Sequence, residues 1–248
     1  MSQKSSVLDK NYFYHPKSFN VDYNTNIYQY LAFEYFIRIL QTETYFIRSK
    51  RCFEDKNERT LPIKLLFAPV IAGSKYNSDH PSSYNKRKQI HNDFEQLNYL
   101  YTSCWTTQNI ENILMWKSYA SKMGVCIKST IGNYIASFKQ PSFSEYNVFC
   151  SKITYENLGF KDNAEEYLFC KNKEFADERE IRFIFEPKQI SDEQTRQKDH
   201  INLDIFPSVM IDDVILSPYI GKATSKWIID TLKSKYDFKI KQSTIELQ

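Results

Sequence analysis

The sequence predicts a single α+β domain with mixed or antiparallel sheets and flanking helices. Strand-like and helix-like segments alternate over the first half of the chain, and strand-like segments dominate the second half, an order that favours α+β over a doubly wound sheet. Hydrophobic residues make up 42% and aromatic residues 16% of the 248 positions, which excludes disorder over most of the chain. We expect a polar lead-in at residues 1–25 and the domain at residues 26–248.

The domain begins with a predicted strand–helix–strand unit. Residues 27–30 and 44–47 are rich in aromatic and β-branched side chains, which is typical of strands. Between them, apolar residues spaced i, i+3, i+4 and i+7 from Phe33 to Leu40 predict one face of a helix. An acidic turn then follows the second strand at residues 53–58.

The middle of the chain predicts a mobile loop, a strand and a helix. Gly, Pro, Ser and Asn cluster in residues 72–90, which favours the loop. Residues 100–106 predict the strand, Asn109 is expected to cap the helix, and Gly124 is expected to end it. One face of this helix is predicted to carry Trp116, Tyr119, Ala120 and Met123.

Strand-like segments dominate the second half. They are residues 148–155, 179–186, 209–216 and 238–247, with helices predicted at 165–173 and from Thr224 or Ser225, and a polar hairpin loop at 187–199. In the second of these strands, alternation places Ile181, Phe183 and Phe185 on one face. Glu180, Arg182 and Ile184 are expected on the opposite face.

Charge and cysteine content restrict the class of protein. The net charge is +3, from 33 basic and 30 acidic residues, so nothing demands a nucleic-acid partner. No run approaches 18 apolar residues and the polar N-terminus has no secretory signal, so we expect a cytoplasmic protein with no membrane span. Five widely spaced cysteines without a C-x-x-C pair favour buried free thiols, and no metal is expected. Neither of the common phosphate-binding glycine loops occurs.

The strongest candidate for chemistry is the segment Glu178, Glu180 and Arg182. On a strand these three side chains project from one face. Repulsion between two carboxylates, offset by the guanidinium, can tune the pKa of one acid for catalysis. The alternative is an ordinary solvated strand face.

Two further pairs of residues are candidates for binding or catalysis, and each also has an ordinary structural interpretation. Asp55 and Glu58 in the acidic turn have the spacing to bind a divalent cation or to orient a base, or they are ordinary turn acids. Trp116 and Tyr119 offer a stacking surface for a flat ring, with the tyrosine hydroxyl as a polar contact, or they belong to the core.

A series of short motifs follows in a recognisable order. They are the turn at residues 53–58, with Lys56 in place of a proline; the strand Cys104-Trp105-Thr106; Met115–Ala120 followed by Gly124-Val125; the set Lys171, Phe175, Glu178, Glu180 and Arg182, with Phe175 in place of a tryptophan; and Val214–Pro218. In this order they resemble the bacterial family known as domain of unknown function 2971. The resemblance extends over roughly residues 27–245.

The strand–helix–strand opening and the late E-x-E strand also resemble the ADP-ribosyltransferase fold. In that fold, NAD lies in a cleft between two small sheets. The resemblance implies that Glu180 stabilises the oxocarbenium-like charge that develops as nicotinamide leaves, and that Glu178 activates the acceptor. Arginine-specific members carry Arg or His on the first strand and a Ser-Thr-Ser strand, where this chain has residues 28–30 (Tyr-Gln-Tyr) and Thr106-Thr107. Relatives also resemble proteins of abortive-infection and phage-defence loci.

Three functions remain open from the sequence. The first is an ADP-ribosyltransferase-like or NAD-cleaving enzyme of a defence or toxin system, with NAD as substrate. The second is a metal-dependent nuclease or phosphodiesterase, in which Asp55, Glu58, Glu178 and Glu180 hold Mg²⁺ and Lys171 lies near the scissile phosphate. The third is a non-enzymatic sensor that binds a protein partner of a defence system through an aromatic patch.

Overall fold

The structure, a computed structural model, describes residues 21–53, 81–108, 111–157, 161, 164–189 and 198–246. Within these ranges the chain forms one α+β domain with a mixed sheet and flanking helices, which confirms the predicted fold class. Most of the predicted lead-in and of the acidic turn, including Asp55 and Glu58, lies outside the described residues.

The described strands lie close to most of the predicted positions. They are β1 Asn26–Ala32, β2 Thr44–Ser49, β3 Tyr101–Thr106, β4 Gly124–Thr130, β5 Tyr146–Lys152, β6 Thr154–Tyr155, β7 Cys170–Lys171, β8 Glu180–Pro187, β9 His200–Asp204, β10 Asp213–Leu216 and β11 Lys239–Gln242. The α-helices are α1 Phe33–Thr42, α2 Pro81–Gln96, α3 Ile113–Met115, α4 Ile131–Ala136, α5 Pro207–Met210 and α6 Lys222–Lys233. A π-helical turn, Trp116–Ala120, continues α3.

The main sheet has a gap beside the middle of β3, where one edge of this strand is not paired with β1 or β2. Its order is β11-β10-β4-β1-β3-β2-β9, and β8 pairs along the other edge of β3 with β5 beyond it. On the edge shared with β1 and β2, β3 meets β1 only at Thr106 and β2 only at Tyr101 and Thr102. Because α1 joins β1 to β2 and the two strands part here, no strand among the described residues pairs with this edge of β3 over Ser103–Trp105.

The two faces of the sheet carry different layers. Ile181, Phe183 and Phe185 are buried in the main core, whereas Ile184 packs in a second cluster with Phe94 of α2. The predicted alternation of β8 is therefore confirmed. The face that carries Glu180 and Arg182 is the one that faces away from the main core.

Several predicted elements need correction. Residues 81–90 of the predicted loop lie in α2, which begins with a proline at its first position, where proline suits a helix; residues 72–80 lie outside the described residues. The predicted helix at 165–173 is a 3-10 helix, Glu165–Phe169, followed by β7. Tyr167 to Cys170 are all buried, and four consecutive buried side chains do not fit one face of an α-helix.

Other boundaries differ because tertiary pairing decides them. The chain after β8 continues into β9, which pairs with β2 rather than with β8, so the predicted hairpin is wrong. The predicted strand at 209–216 is α5 followed by β10, and the strand at 148–155 is divided at Ile153. Asn109 lies outside the described residues, and Asn112 caps α3 by accepting a hydrogen bond from the Leu114 amide at 2.8 Å.

Candidate functional site

A cleft of about 610 Å³ opens where β1 and β2 part, and side chains from both faces of β3 line it. Thr102, Cys104 and Thr106 of β3 line it, and Glu180 of β8 pairs across the ladder with Thr106. Because side chains two residues apart on a strand share a face, this arrangement continues from β3 onto β8. The cleft is also lined by α1, β2, the π-helical turn and the segment from Lys171 to Glu178.

Side chains replace the missing strand pairing where β1 and β2 part. Gln29 of β1 donates its Nε2 hydrogen to the Cys104 carbonyl at 3.2 Å. The Tyr45 hydroxyl donates to Gln29 Oε1 at 2.7 Å and lies 3.1 Å from Ser103 Oγ. Burial raises the pKa of Tyr45 to about 12, so the phenol remains a neutral donor. These contacts link β1 and β2 across the gap and give the Cys104 carbonyl on the open edge of β3 a hydrogen-bond donor.

Glu180 is a buried, ionised carboxylate at the floor of the cleft. Only 5% of the residue is exposed. Arg182 Nε donates to its Oε1 at 2.7 Å, and Lys171 Nζ lies 3.3 Å from its Oε2. Burial by itself would raise the pKa of Glu180, but the charges of Arg182 and then Lys171 outweigh it and hold this pKa well below its usual range. The site therefore contains a fixed negative charge in a largely water-excluded place.

Glu178 reaches the same cluster from a different element. It ends the 3-10 helix Lys173–Glu178 instead of lying on β8, and Arg179, with φ of 43°, joins the two. Its carboxylate accepts hydrogen bonds from Lys171 Nζ and from the Tyr119 hydroxyl, each at 2.7 Å. The prediction of one strand face is thus wrong for Glu178, although its carboxylate does meet Lys171 beside Glu180.

Arg182 lies behind Glu180 and not at the surface of the cleft. It is 4% exposed, and its Nη1 donates to the Leu168 carbonyl at 2.9 Å. The backbone amide of Glu180 donates to the Tyr155 hydroxyl at 2.6 Å. Arg182 therefore positions and charge-balances the Glu180 carboxylate without lining the cleft, and Tyr155 holds the Glu180 backbone.

The two aromatic candidates differ in exposure to the cleft. Tyr119 lines the cleft and is 48% exposed, and burial together with Glu178 raises the pKa of its hydroxyl. Trp116 is fully buried, with its ring edge-on to Tyr30 at 4.8 Å between centroids and its Nε1 donating to Glu111 at 3.3 Å. The expectation that Trp116 stacks on a ligand is wrong, because no face of its ring is accessible.

Sequence reasoning missed several residues of the cleft. Gln29 left a usable signal, since it is polar and lies between Ile27 and Leu31 on the inward-facing positions of β1. Cys104 also lines the cleft and is partly exposed, contrary to the expectation that all cysteines are buried. Tyr155 does not line the cleft but contacts the Glu180 amide, and nothing in the local sequence marks it, because only the tertiary fold brings β6 beside Glu180.

The described residues contain no group of three or more His, Cys, Asp or Glu side chains placed to hold a metal ion. The part of the chain that the structure describes also has no helix with both the length and the apolar character to cross a membrane. Asp55 and Glu58, which the metal-dependent alternative requires, lie outside the described residues.

Comparisons with known proteins identified no relative, so the cleft is interpreted from the chemistry of its own residues. A scan of the chain against protein-family models found no match, and a search of curated proteins found no similar sequence. A fixed carboxylate that is itself buried beside a cleft stabilises positive charge that develops on a ligand bound there. The aromatic side chains around it provide flat surfaces for stacking.

Proposed function

We propose that this protein is an NAD-using enzyme of the ADP-ribosyltransferase type. The observation that carries the proposal is the ionised Glu180 carboxylate at the floor of an aromatic-lined cleft. The cleft's volume of about 610 Å³ falls within the ~300–1,000 Å³ typical of ligand sites. It opens where β1 and β2 part along one edge of β3, within a single sheet of nine described strands, whereas the resemblance implies a cleft between two small sheets.

The chemistry follows from the charge of Glu180. The bond that breaks joins ribose C1′ to the nicotinamide nitrogen, and its electron pair leaves with nicotinamide. Positive charge then develops on the ribose, and a carboxylate fixed nearby stabilises that charge without reorganising at the moment of reaction. An acceptor oxygen or nitrogen attacks C1′ and loses a proton.

The neighbours of Glu180 have distinct roles in this proposal. Arg182 and Lys171 keep Glu180 ionised, and Arg182 acts as a positioning residue since it does not line the cleft. Glu178 lies beside Lys171 and Tyr119, and we assign to it the orientation and deprotonation of the acceptor. Tyr119 offers a half-exposed ring to the substrate.

The test measures nicotinamide release from NAD by the purified chain. We expect release by the native protein, and a loss of about 10²-fold or more in Glu180→Gln. Glu180→Asp keeps the charge but withdraws it by one methylene, so it should also lose activity while disturbing the buried charge balance less. Glu165→Gln, which removes an exposed carboxylate that does not line the cleft, is the matched control and should be fully active.

Binding is measured separately from turnover. NAD at about 100 times its Kd should stabilise the native protein by about 2.7 kcal/mol in thermal unfolding. The proposal fails if NAD gives neither stabilisation nor nicotinamide release with water, protein or nucleotide acceptors. It fails equally if folded Glu180→Asp and Glu180→Gln proteins release nicotinamide at the native rate.

The cellular role that we propose is defence against phage by a bacterial cytoplasmic effector. It is supported by the resemblance to domain of unknown function 2971 and its defence-associated relatives. Expression of the native chain should reduce phage plating, and Glu180→Gln should plate phage like a strain without the gene. Equal protection by both would point to the non-enzymatic sensor instead.

A further inference from the structure

A pair of arginines lines the cleft on the side of α1 and β2, away from Glu180. Arg38 belongs to α1 and Arg48 to β2, and both side chains are exposed. Within the described ranges, neither guanidinium takes part in a hydrogen bond or an ion pair, whereas Arg51, three residues after Arg48, pairs with Asp199 at 2.8 Å. Two cations that share a cleft without a partner create a site for an anion.

The strand register gives the separation along β3 between the positions of Arg48 and Glu180, which lie on strands at opposite edges of β3. Arg48 is paired with Thr102 of β3, and Glu180 is paired with Thr106 of the same strand. Four residues of extended chain separate these positions, which corresponds to about 14 Å along β3. Since the interval is even, Thr102 and Thr106 lie on the same face of β3, and both line the cleft.

The charges along the cleft are therefore divided. Among the described residues, the carboxylates that line it are Glu178 and Glu180, and both contact Lys171 at one end. The other end carries the two arginines and, beside them, exposed aromatic rings. Tyr35 lies one turn before Arg38 on α1, and Phe46 lies two residues before Arg48 on the same strand face.

We propose that Arg38 and Arg48 bind the phosphate groups of the substrate, which is then a phosphate-bearing dinucleotide that spans the cleft along β3. Guanidinium groups match phosphate oxygens with paired N–H donors. The nearby Tyr35 ring, and the face of the Phe46 ring that is not stacked on His200, supply stacking surfaces for a base. The orientation, with the glycosidic bond at Glu180, rests on the proposed function, but the phosphate site itself does not.

The test compares ligands that differ only in phosphate. Calorimetric titration measures ADP, adenosine and NAD against the native chain, Arg38→Gln and Arg48→Gln. ADP should bind the native chain at least about tenfold more tightly than adenosine does, and each arginine variant should lose about tenfold in affinity for ADP and NAD but none for adenosine. Lys226→Gln removes one exposed positive charge on α6, away from the cleft, and should match the native chain.

The outcomes separate this inference from the proposed function. ADP that binds no better than adenosine, or arginine variants that bind ADP with native affinity, would overturn the phosphate site. Arginine-dependent ADP binding without any nicotinamide release from NAD would support the phosphate site and refute the enzymatic proposal. Nicotinamide release with an unchanged KM for NAD in both arginine variants would support the enzymatic proposal and refute the phosphate site.

Discussion

Glu180→Gln should destabilise the folded protein as well as remove its proposed activity. The sequence alone suggests a partly solvated ion pair, whose loss changes the free energy of unfolding by only ~0–1 kcal/mol. In the structure, the side chains of Glu180 and Arg182 are each 5% exposed, with 2.7 Å between Oε1 and Nε. Removing one partner of a buried pair costs about 3–5 kcal/mol, because the other charge stays buried and unbalanced. Glutamine retains an acceptor for Arg182, so we expect about 3 kcal/mol.

The pH dependence of this loss follows from the lowered pKa of Glu180. A carboxyl whose pKa is lower in the folded state than in the unfolded state stabilises the fold at pH values above its unfolded pKa, about 4.3 for glutamate. This contribution disappears as the pH falls through the folded pKa, which Arg182 and Lys171 hold well below that value. The stability difference between the native chain and Glu180→Gln should therefore be constant near neutral pH and shrink below about pH 4.

Urea unfolding of both proteins between pH 7.5 and pH 3 measures this difference directly. Glu165→Gln should stay within about 0.5 kcal/mol of the native chain, as expected for an exposed side chain. The double variant Glu180→Gln/Arg182→Met removes both charges and should recover part of the loss. A Glu180→Gln protein within about 1 kcal/mol of native at neutral pH, or a difference that does not change with pH, would refute the buried charge balance.

Two further predictions concern packing around the cleft. Gly124→Ala should destabilise the fold by about 1–3 kcal/mol, because a Cβ there would lie 2.0 Å from the Ala120 carbonyl oxygen, which is backbone and cannot rotate away; a melting temperature equal to native would contradict the close approach. Trp116→Ala should cost about 3–5 kcal/mol by leaving a cavity, whereas Tyr119→Ala should cost about 1 kcal/mol or less since this ring is 48% exposed. Urea titrations of the pair would contradict this assignment if the order of the two losses were reversed.

Local sequence patterns predicted an element and its buried face correctly wherever its apolar residues repeat with the period of that element. The i, i+3, i+4 spacing from Phe33 to Leu40 and the alternation of Ile181 and Phe183 with Glu180 both identify elements and their inward faces correctly. Each pattern records which side chains avoid water along a single regular segment. The buried face of such a segment can therefore be predicted without knowing which strands lie beside it.

The π-helical turn shows where local reasoning fails. Trp116 and Tyr119 have the spacing of one helical face, yet the first is buried and the second is half-exposed. The turn bonds i to i+5 instead of i to i+4, which changes the face on which successive side chains lie. The sequence therefore identified both aromatic residues but not which of them reaches the cleft.

By itself, the sequence determined the α+β class, the inward faces of α1 and β8, and the candidate acids Glu178 and Glu180. Only the tertiary structure decided that Glu180 is buried against Arg182 and Lys171, because alternation assigns a side chain to a face but cannot say what covers that face. The tertiary structure also opened the cleft by parting β1 from β2, and it aligned Arg48 and Glu180 at two positions of β3. These features depend on pairings between residues far apart in the chain, whose free energies no local pattern records.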